Sequence, residues 1–180
     1  RSSMYRFNGQ DRRLARTLAA ILLILESMPT ASSSSSSSGS GGIDYCIKGH
    51  SGDSDEIDFV EFNGKKPTNE AERMTILESM AAHTQFTQSG DNTLNAMAKA
   101  IKHIIDASEG DEHTDRYVFV ISDANFDRYG IRPEYLSSIM LKDRRVQTHL
   151  ILIASLADEV DQMVKLLRPG RTHVCFETTS

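Results

Sequence analysis

The chain has 180 residues, which is little more than one domain of about 150 residues. Its 20 basic and 25 acidic side chains leave a net charge of −5, whereas nucleic-acid-binding domains usually carry a basic excess. Length therefore excludes a two-domain enzyme, and charge argues against a nucleic-acid partner. The two cysteines, Cys46 and Cys175, stand singly in apolar runs, which is typical of free thiols in a reducing compartment.

The first predicted element is a helix from Leu14, in which apolar residues recur every three or four positions as far as Leu25. Pro29 is predicted to end this helix. Its apolar run is far shorter than the roughly 20 residues that span a bilayer, so no membrane span is predicted. Residues 30–42 are rich in serine and glycine. They are predicted to form a flexible surface insertion, with a phosphorylated tether as the alternative.

Two short extended runs, Ile43–Lys48 and Ile57–Phe62, predict a strand pair after the serine run. Asn69 and Glu72 then have the spacing of a helix N-cap and the third helical residue. They precede an apolar stripe with helical spacing, so an amphipathic helix is predicted there. A polar connection is predicted over residues 83–92.

The rest of the chain alternates between predicted helices and strands. In order, these are a helix from Thr93, a strand at Tyr117–Ile121, a helix from Pro133, a strand at Val146–Ala154, a helix at Val160–Leu167 and a strand at His173–Phe176. The first two of these strands are nearly continuous apolar runs, which is typical of parallel strands buried on both faces. The alternation predicts an α/β fold with a doubly wound, mostly parallel sheet and helices on both sides.

Polar residues at the predicted strand ends and helix starts are the candidate site residues, because ligands of open parallel sheets bind there. They are Ser2 and Ser3 before the first helix, Thr93 at a helix start, and Asp123 directly after an apolar strand. Hydroxyl and carboxylate oxygens are hard ligands that suit Mg²⁺. Simpler interpretations are an exposed terminus for Ser3, a helix N-cap for Thr93, and capping of loop amides by Asp123.

The sequence lacks the motifs of several other enzyme classes and of zinc sites. Haloacid-type hydrolases have a second aspartate two residues after the first, where this sequence has Asn125. Response-regulator receivers have a lysine after the next strand, where residues 153–155 are Ile-Ala-Ser. No Gly-x-x-x-x-Gly-Lys-Ser/Thr loop occurs, so the segment is not expected to hydrolyse nucleotides. The six histidines, including His50 and His83 in predicted loops, lack zinc-ligand spacing.

Several local strings resemble the von Willebrand factor type A (VWA) domain. They are Ser3–Gly9, Gly49–Asp53, Ser89–Thr93, Ser122–Asn125 and Arg128–Ile131. The resemblance covers nearly the whole chain apart from the serine run. Within the family, these strings are most similar to a VWA domain at the C-terminal end of a large AAA-type ATPase of mitochondria. The resemblance therefore implies a mitochondrial location and ATPase modules elsewhere in a longer protein.

The family resemblance implies a metal-ion-dependent adhesion site (MIDAS). In such a site an Asp-x-Ser-x-Ser loop, a threonine and an aspartate hold Mg²⁺, and a carboxylate of a partner protein completes the coordination. Ser3 matches the second serine, Thr93 the threonine and Asp123 the aspartate. Arg1 falls at the position of the first serine, which leaves Ser2 as a weaker candidate. The family's first strand and leading aspartate would precede residue 1.

The chain is thus expected to be a single VWA domain over residues 1–180, truncated at its N-terminus, that binds Mg²⁺, or Mn²⁺ in its place, only weakly. The leading hypothesis is a binding module that grips an acidic residue of a partner protein or of another domain of the same chain. The alternative is a structural docking domain with a degenerate metal site, consistent with Arg1. Neither hypothesis makes this segment an enzyme.

Overall fold

A computed structural model of the chain describes residues 2–34, 43–87, 90–110, 114–123, 126–153, 164–167 and 171–175. The helices are α1 (Ser2–Arg6), α2 (Asn8–Asp11), α3 (Arg13–Ser34), α4 (Glu70–Phe86), α5 (Thr93–Ala107) and α6 (Pro133–Met140). The strands are β1 (Ile47–Gly49), β2 (Ile57–Val60), β3 (Arg116–Ser122), β4 (Val146–Ile153) and β5 (Thr172–Cys175). Asp127–Tyr129 form a turn of 3₁₀ helix, and residues 164–166 are helical.

The described strands form two sheets. β1 and β2 pair antiparallel, which confirms the predicted strand pair. β3, β4 and β5 form a parallel sheet in that order, with Val120 opposite Leu150 and Leu152 opposite Val174. Helices and a parallel sheet together confirm the predicted α/β class. The β1–β2 hairpin forms a sheet of its own, and the doubly wound strand order stays a prediction.

The main hydrophobic core lies between one face of the parallel sheet and helices α5 and α6. Leu150 and Leu152 of β4 project into it because alternate residues of a strand face the same side. Met97 of α5 and Leu136 of α6 meet them there, and all four side chains are almost completely buried. The apolar stripes predicted for these two helices therefore face the sheet.

A second, smaller core packs against the opposite face of β3. Ile21 and Leu25 of α3 and Leu77 of α4 form its centre, and Ile121 of β3 packs against them. The neighbouring residue, Val120, packs against the main core instead. Helices therefore contact β3 from both sides near its carboxyl end.

The prediction that Tyr117–Ile121 is buried on both faces is wrong for the first part of the strand. Tyr117 is 44% exposed and Phe119 is 56% exposed, whereas Val118 between them is buried. Ile121 is the residue of this outer face that reaches the α3–α4 core. Burial along β3 thus alternates because, among the described elements, helices cover the outer face only near the carboxyl end.

The ends of two predicted helices differ from the structure. α3 continues through Pro29 to Ser34, because a proline removes one backbone donor without preventing the next turn from staying helical. The predicted insertion over 30–42 therefore begins as helix, and its residues 35–42 lie outside the described part. α4 begins as predicted, with the Asn69 side chain accepting a hydrogen bond from the Glu72 amide at 2.9 Å. It extends to Phe86, so the first part of the predicted connection over 83–92 is helical.

Most of the helices and strands predicted from Thr93 onward are confirmed where the structure describes them. α5 begins at Thr93 and α6 at Pro133, which occupies the first turn as predicted. β4 is described over Val146–Ile153, and Ala154, the predicted last residue, lies outside the described part. The helix predicted over 160–167 is described only from residue 164, and Phe176 lies outside the described part. Among the described residues, no helix has both the length and the apolar character that a bilayer crossing requires.

The packing of α3 predicts unequal effects for two leucines two residues apart. Leu25 is fully buried, whereas Leu23 is 69% exposed. Leu25→Ala should lower the free energy of unfolding by about 2–5 kcal/mol, because it leaves a cavity between α3, α4 and β3. Leu23→Ala should change it by less than about 0.5 kcal/mol. Urea unfolding followed by circular dichroism measures both values, and equal effects would contradict the described orientation of α3.

Candidate functional site

Asp123 lies directly after β3, and its carboxylate is paired with an arginine. Arg13 Nη1 donates a hydrogen bond to Asp123 Oδ2 at 3.2 Å, and the exposed fractions of the two side chains are 10% and 0%. The Arg13 guanidinium also lies over the Phe7 ring, with Cζ 4.9 Å from the centroid. The predicted metal ligand therefore contacts a permanent positive charge of the protein itself.

The position of Arg13 follows from the turn between α2 and α3. Arg12 adopts a left-handed conformation with φ of 55°, which separates the two helices. The Asn8 side chain then accepts a hydrogen bond from the Ala15 amide at 3.0 Å and so satisfies one of the free donors at the start of α3. Arg13 is the first residue of α3. This local geometry aims its side chain at the end of β3.

Thr93 is the first helical residue of α5 and is completely buried. The interpretation of Thr93 as a helix N-cap is wrong, because Asn92 occupies the cap position. The Thr93 amide donates a hydrogen bond to Asp91 Oδ1 at 2.7 Å. The side chain of Asp91 thereby helps to hold the first turn of α5 in place.

The loop before Thr93 is joined to the loop after β1. Asn92 Nδ2 donates hydrogen bonds to the carbonyl oxygens of Ser51, at 2.8 Å, and Gly52, at 3.3 Å. Gly90 approaches Gly52 so closely that a Cβ at position 90 would lie 2.5 Å from Gly52 Cα. Ser51 is buried, and its Oγ accepts hydrogen bonds from the Asp53 and Ser54 amides, both at 3.2 Å. Two of the strings that carry the VWA resemblance thus form one hydrogen-bonded unit.

Ser2 and Ser3 lie within α1 rather than before the first helix, which corrects the prediction. Ser3 is buried, so its interpretation as an exposed terminus is wrong. α1 packs against α3 and α4. The side chain of Ser2 lies outside the described part of the structure.

The structure therefore buries the three main candidates, Ser3, Thr93 and Asp123. α5, which starts at Thr93, packs on β3, which ends just before Asp123. Ser3 belongs to α1, which contacts α3, and α3 supplies Arg13 to Asp123. The three residues are thus connected indirectly, through contacts between α1 and α3, between Arg13 and Asp123, and between β3 and α5.

The donors present are of the chemical type that Mg²⁺ prefers. Hydroxyl and carboxylate oxygens are hard ligands. Ser122 Oγ, directly before Asp123, is buried and has no hydrogen-bond partner among the described residues, which adds one more such oxygen. No three His, Cys, Asp or Glu side chains of the described residues form a metal-binding group. The oxygen donors thus fit Mg²⁺ in type, with Arg13 as the cation that competes for Asp123.

Sequence reasoning missed Arg13 and the bonding role of Asn92. Nothing in the sequence distinguishes Arg12, Arg13 and Arg16 as partners of Asp123. Only the position of α3 relative to β3 brings Arg13 to that carboxylate. Asn92 and Ser51 did fall within the strings that carry the family resemblance. The family resemblance therefore pointed to both residues, but it did not predict that they contact each other.

Comparisons with known proteins find a relative that covers almost the whole chain. No protein-family model matches the chain, and no solved structure matches it. Over 176 residues, or 98% of its length, the chain is 38% identical to von Willebrand factor A domain-containing protein 8 of Mus musculus. The predicted VWA resemblance is confirmed. The chain covers 9% of that relative, so it is similar to one segment of a much longer VWA domain-containing protein.

The contact between the two VWA-like loops predicts that Gly90 does not tolerate a side chain. Gly90→Ala would place a methyl group against the Gly52 backbone, which cannot move away as a flexible side chain does. We expect the free energy of unfolding to fall by about 1–3 kcal/mol. Gly9→Ala is the matched control, since a Cβ there meets no atom within 4 Å. Urea unfolding of both variants checks this, and an unchanged Gly90→Ala variant would refute the close approach.

The Arg13–Asp123 pair predicts a large coupling in a double-mutant cycle. Arg13→Met and Asp123→Asn should each cost about 3–5 kcal/mol of unfolding free energy, because each removes one partner of a buried ion pair. The double variant should cost clearly less than the sum of the two.

The exposed pair Arg145–Asp143, with a 2.7 Å contact, is the control for this cycle. Its cycle with Arg145→Met and Asp143→Asn should show little coupling, because water screens surface charges. Additive effects at Arg13 and Asp123 would contradict the buried ion pair.

Proposed function

We propose that the chain is a VWA-type protein-interaction module that binds Mg²⁺ through Ser3, Thr93 and Asp123 and uses the ion to hold a carboxylate of a partner protein. One observation carries the proposal. The Asp123 carboxylate is completely buried at the carboxyl end of a parallel strand, and Thr93 is completely buried at the start of the helix that packs on that strand. This is where an open parallel sheet binds its ligands.

The chain's own residues support such a site by holding it rigid. The Asn92 contacts with Ser51 and Gly52 and the Asp91 contact with the Thr93 amide hold the loop ahead of α5. A preorganised loop reduces the entropic cost of binding. Bound Mg²⁺ would supply a Lewis acid with an open coordination position for the partner's carboxylate. No bond is broken, so we propose a binding function and no enzymatic activity for this segment.

A structural docking domain without a functional metal site is the second candidate. The Arg13–Asp123 ion pair favours it, because the guanidinium already neutralises the carboxylate that Mg²⁺ would use. In this alternative, Arg13 locks α3 onto β3, and the domain offers its partner a fixed surface. The two candidates differ in whether partner binding depends on a divalent cation.

The wider context is part of the proposal. Since the chain is similar to one segment of a much longer relative, we propose that it is part of a longer VWA domain-containing protein. The AAA-type ATPase modules and the mitochondrial location that the family resemblance implies belong to the same proposal. Other domains of the same polypeptide are then candidate partners, together with separate proteins that present an acidic side chain.

Titration calorimetry with Mg²⁺ alone tests the metal site. We expect Thr93→Ala and Asp123→Ala to weaken Mg²⁺ binding roughly tenfold or more, because each removes an oxygen ligand. Thr75→Ala and Asp58→Ala, at exposed positions of α4 and β2, are the matched controls and should bind as the unchanged chain does. Circular dichroism establishes that each variant is folded.

Binding to immobilised glutamate-containing peptides tests the partner chemistry. Under the metal proposal, binding requires Mg²⁺, is reversed by EDTA and is lost in both site variants. Equal Mg²⁺ uptake by the site variants and the controls would refute the metal proposal. Cation-independent capture of other segments of the longer protein would then support the docking candidate.

A further inference from the structure

The outer face of the parallel sheet carries a row of stacked aromatic side chains that the VWA-like site does not use. Phe119 of β3 stacks on His149 of β4 with ring centroids 5.4 Å apart, and His149 stacks on His173 of β5 at 5.5 Å. Tyr117 also stacks on His149, at 6.4 Å. This row lies on the face of β3 opposite the main core. It therefore presents two imidazoles at the protein surface.

The strand register brings the two imidazoles together. His173 lies opposite Ile151, and His149 is two residues before Ile151 on the same face of β4. The two histidines are thus diagonal neighbours on adjacent parallel strands, which long side chains can bridge. His149 Nδ1 lies 3.2 Å from His173 Nε2. Backbone hydrogen bonding of β4 to β5, rather than a mobile loop, holds this pair.

The separation of the two nitrogens is compatible with a shared metal ion. Imidazole nitrogens coordinate Zn²⁺ at about 2.0–2.1 Å, so two of them in a tetrahedral arrangement are about 3.3 Å apart. The observed nitrogen–nitrogen distance is 3.2 Å. His173 is exposed and His149 is half-buried, so solvent reaches the pair and can fill the remaining coordination positions.

We propose that His149 and His173 form a two-histidine binding site for a late first-row divalent ion of the class Cu²⁺, Ni²⁺ or Zn²⁺. Imidazole is a ligand of these ions, whereas Mg²⁺ prefers oxygen. The nitrogen site is therefore chemically distinct from the oxygen site at Asp123, and it does not depend on the proposed VWA-type function.

Two features of the surroundings favour metal binding. Burial lowers the pKa of His149, which favours the neutral ring that a metal ion binds. The stacked rings of Phe119 and Tyr117 restrict the orientation of His149 before the ion arrives. A direct hydrogen bond between the two imidazoles is the competing interpretation of the short distance, and the experiment separates the two.

Calorimetric titration of the untagged chain with Cu²⁺ and with Zn²⁺ tests the proposal. We expect one ion per chain, with Cu²⁺ bound more tightly than Zn²⁺ and neither displaced by excess Mg²⁺. His149→Phe keeps an aromatic ring in the stack, and His173→Gln keeps a polar side chain. Each should weaken binding roughly tenfold or more, because one of two ligands is lost. His83→Gln, which removes a histidine of α4, is the matched control and should leave the affinity unchanged.

Measurements on the unchanged chain avoid any effect of a substitution on folding. On Zn²⁺ addition, long-range ¹H–¹⁵N spectra should show shifts of the imidazole nitrogens of two of the six histidines. The electron paramagnetic resonance spectrum with Cu²⁺ should show coupling to two nitrogens. Unchanged affinity in both site variants, or spectra in which other histidines respond, would overturn the proposal and leave a hydrogen-bonded imidazole pair.

Discussion

A buried ion pair between Arg13 and Asp123 connects the helical N-terminal part of the chain to the carboxyl end of the parallel sheet. The two residues are 110 positions apart in the sequence, and the carboxylate has no exposed surface. Two charges removed from water stabilise a structure only when their mutual geometry is good. The placement of α3 on β3 and the charge of the candidate site therefore depend on the same ion pair. Whatever cation binds Asp123 also bears on how α3 is held.

Strand β3 contacts both hydrophobic cores and leads directly into the candidate site. Val120 belongs to the main core and Ile121 to the α3–α4 core, so successive residues of one strand anchor both clusters. Asp123 follows immediately, and Tyr117 and Phe119, earlier in the strand, form part of the exposed aromatic row. One strand thus carries an oxygen-rich site at its carboxyl end and flanks a nitrogen-rich pair on its outer face. The two proposed metal sites would therefore differ in ligand type, with oxygen for a hard ion and nitrogen for a borderline one.

Much of the candidate site was predictable because its parts are local. Thr93 and Asp123 follow from a helix start and a strand end, positions that periodicity locates well. Ser3 was a candidate from its position ahead of the first predicted helix, and the family resemblance then matched it to a metal-binding serine. The helix through Pro29 was not predictable from the usual stop signal, since one lost hydrogen bond leaves the remaining turns intact. Arg13 was not predictable at all. Its selection over Arg12 and Arg16 depends on the direction of α3, which no local pattern encodes.

The sequence by itself determined the α/β class, the cap at Asn69, the strand pair, the starts of α5 and α6, and the similarity to a VWA domain-containing protein. These depend on side-chain periodicity, capping chemistry and short strings, all of which are written within a few neighbouring residues. Tertiary structure alone decided that Asp123 meets Arg13, that Asn92 bonds to Ser51, and that His149 lies beside His173. Each of these joins residues from different elements, and packing and strand register set their distance.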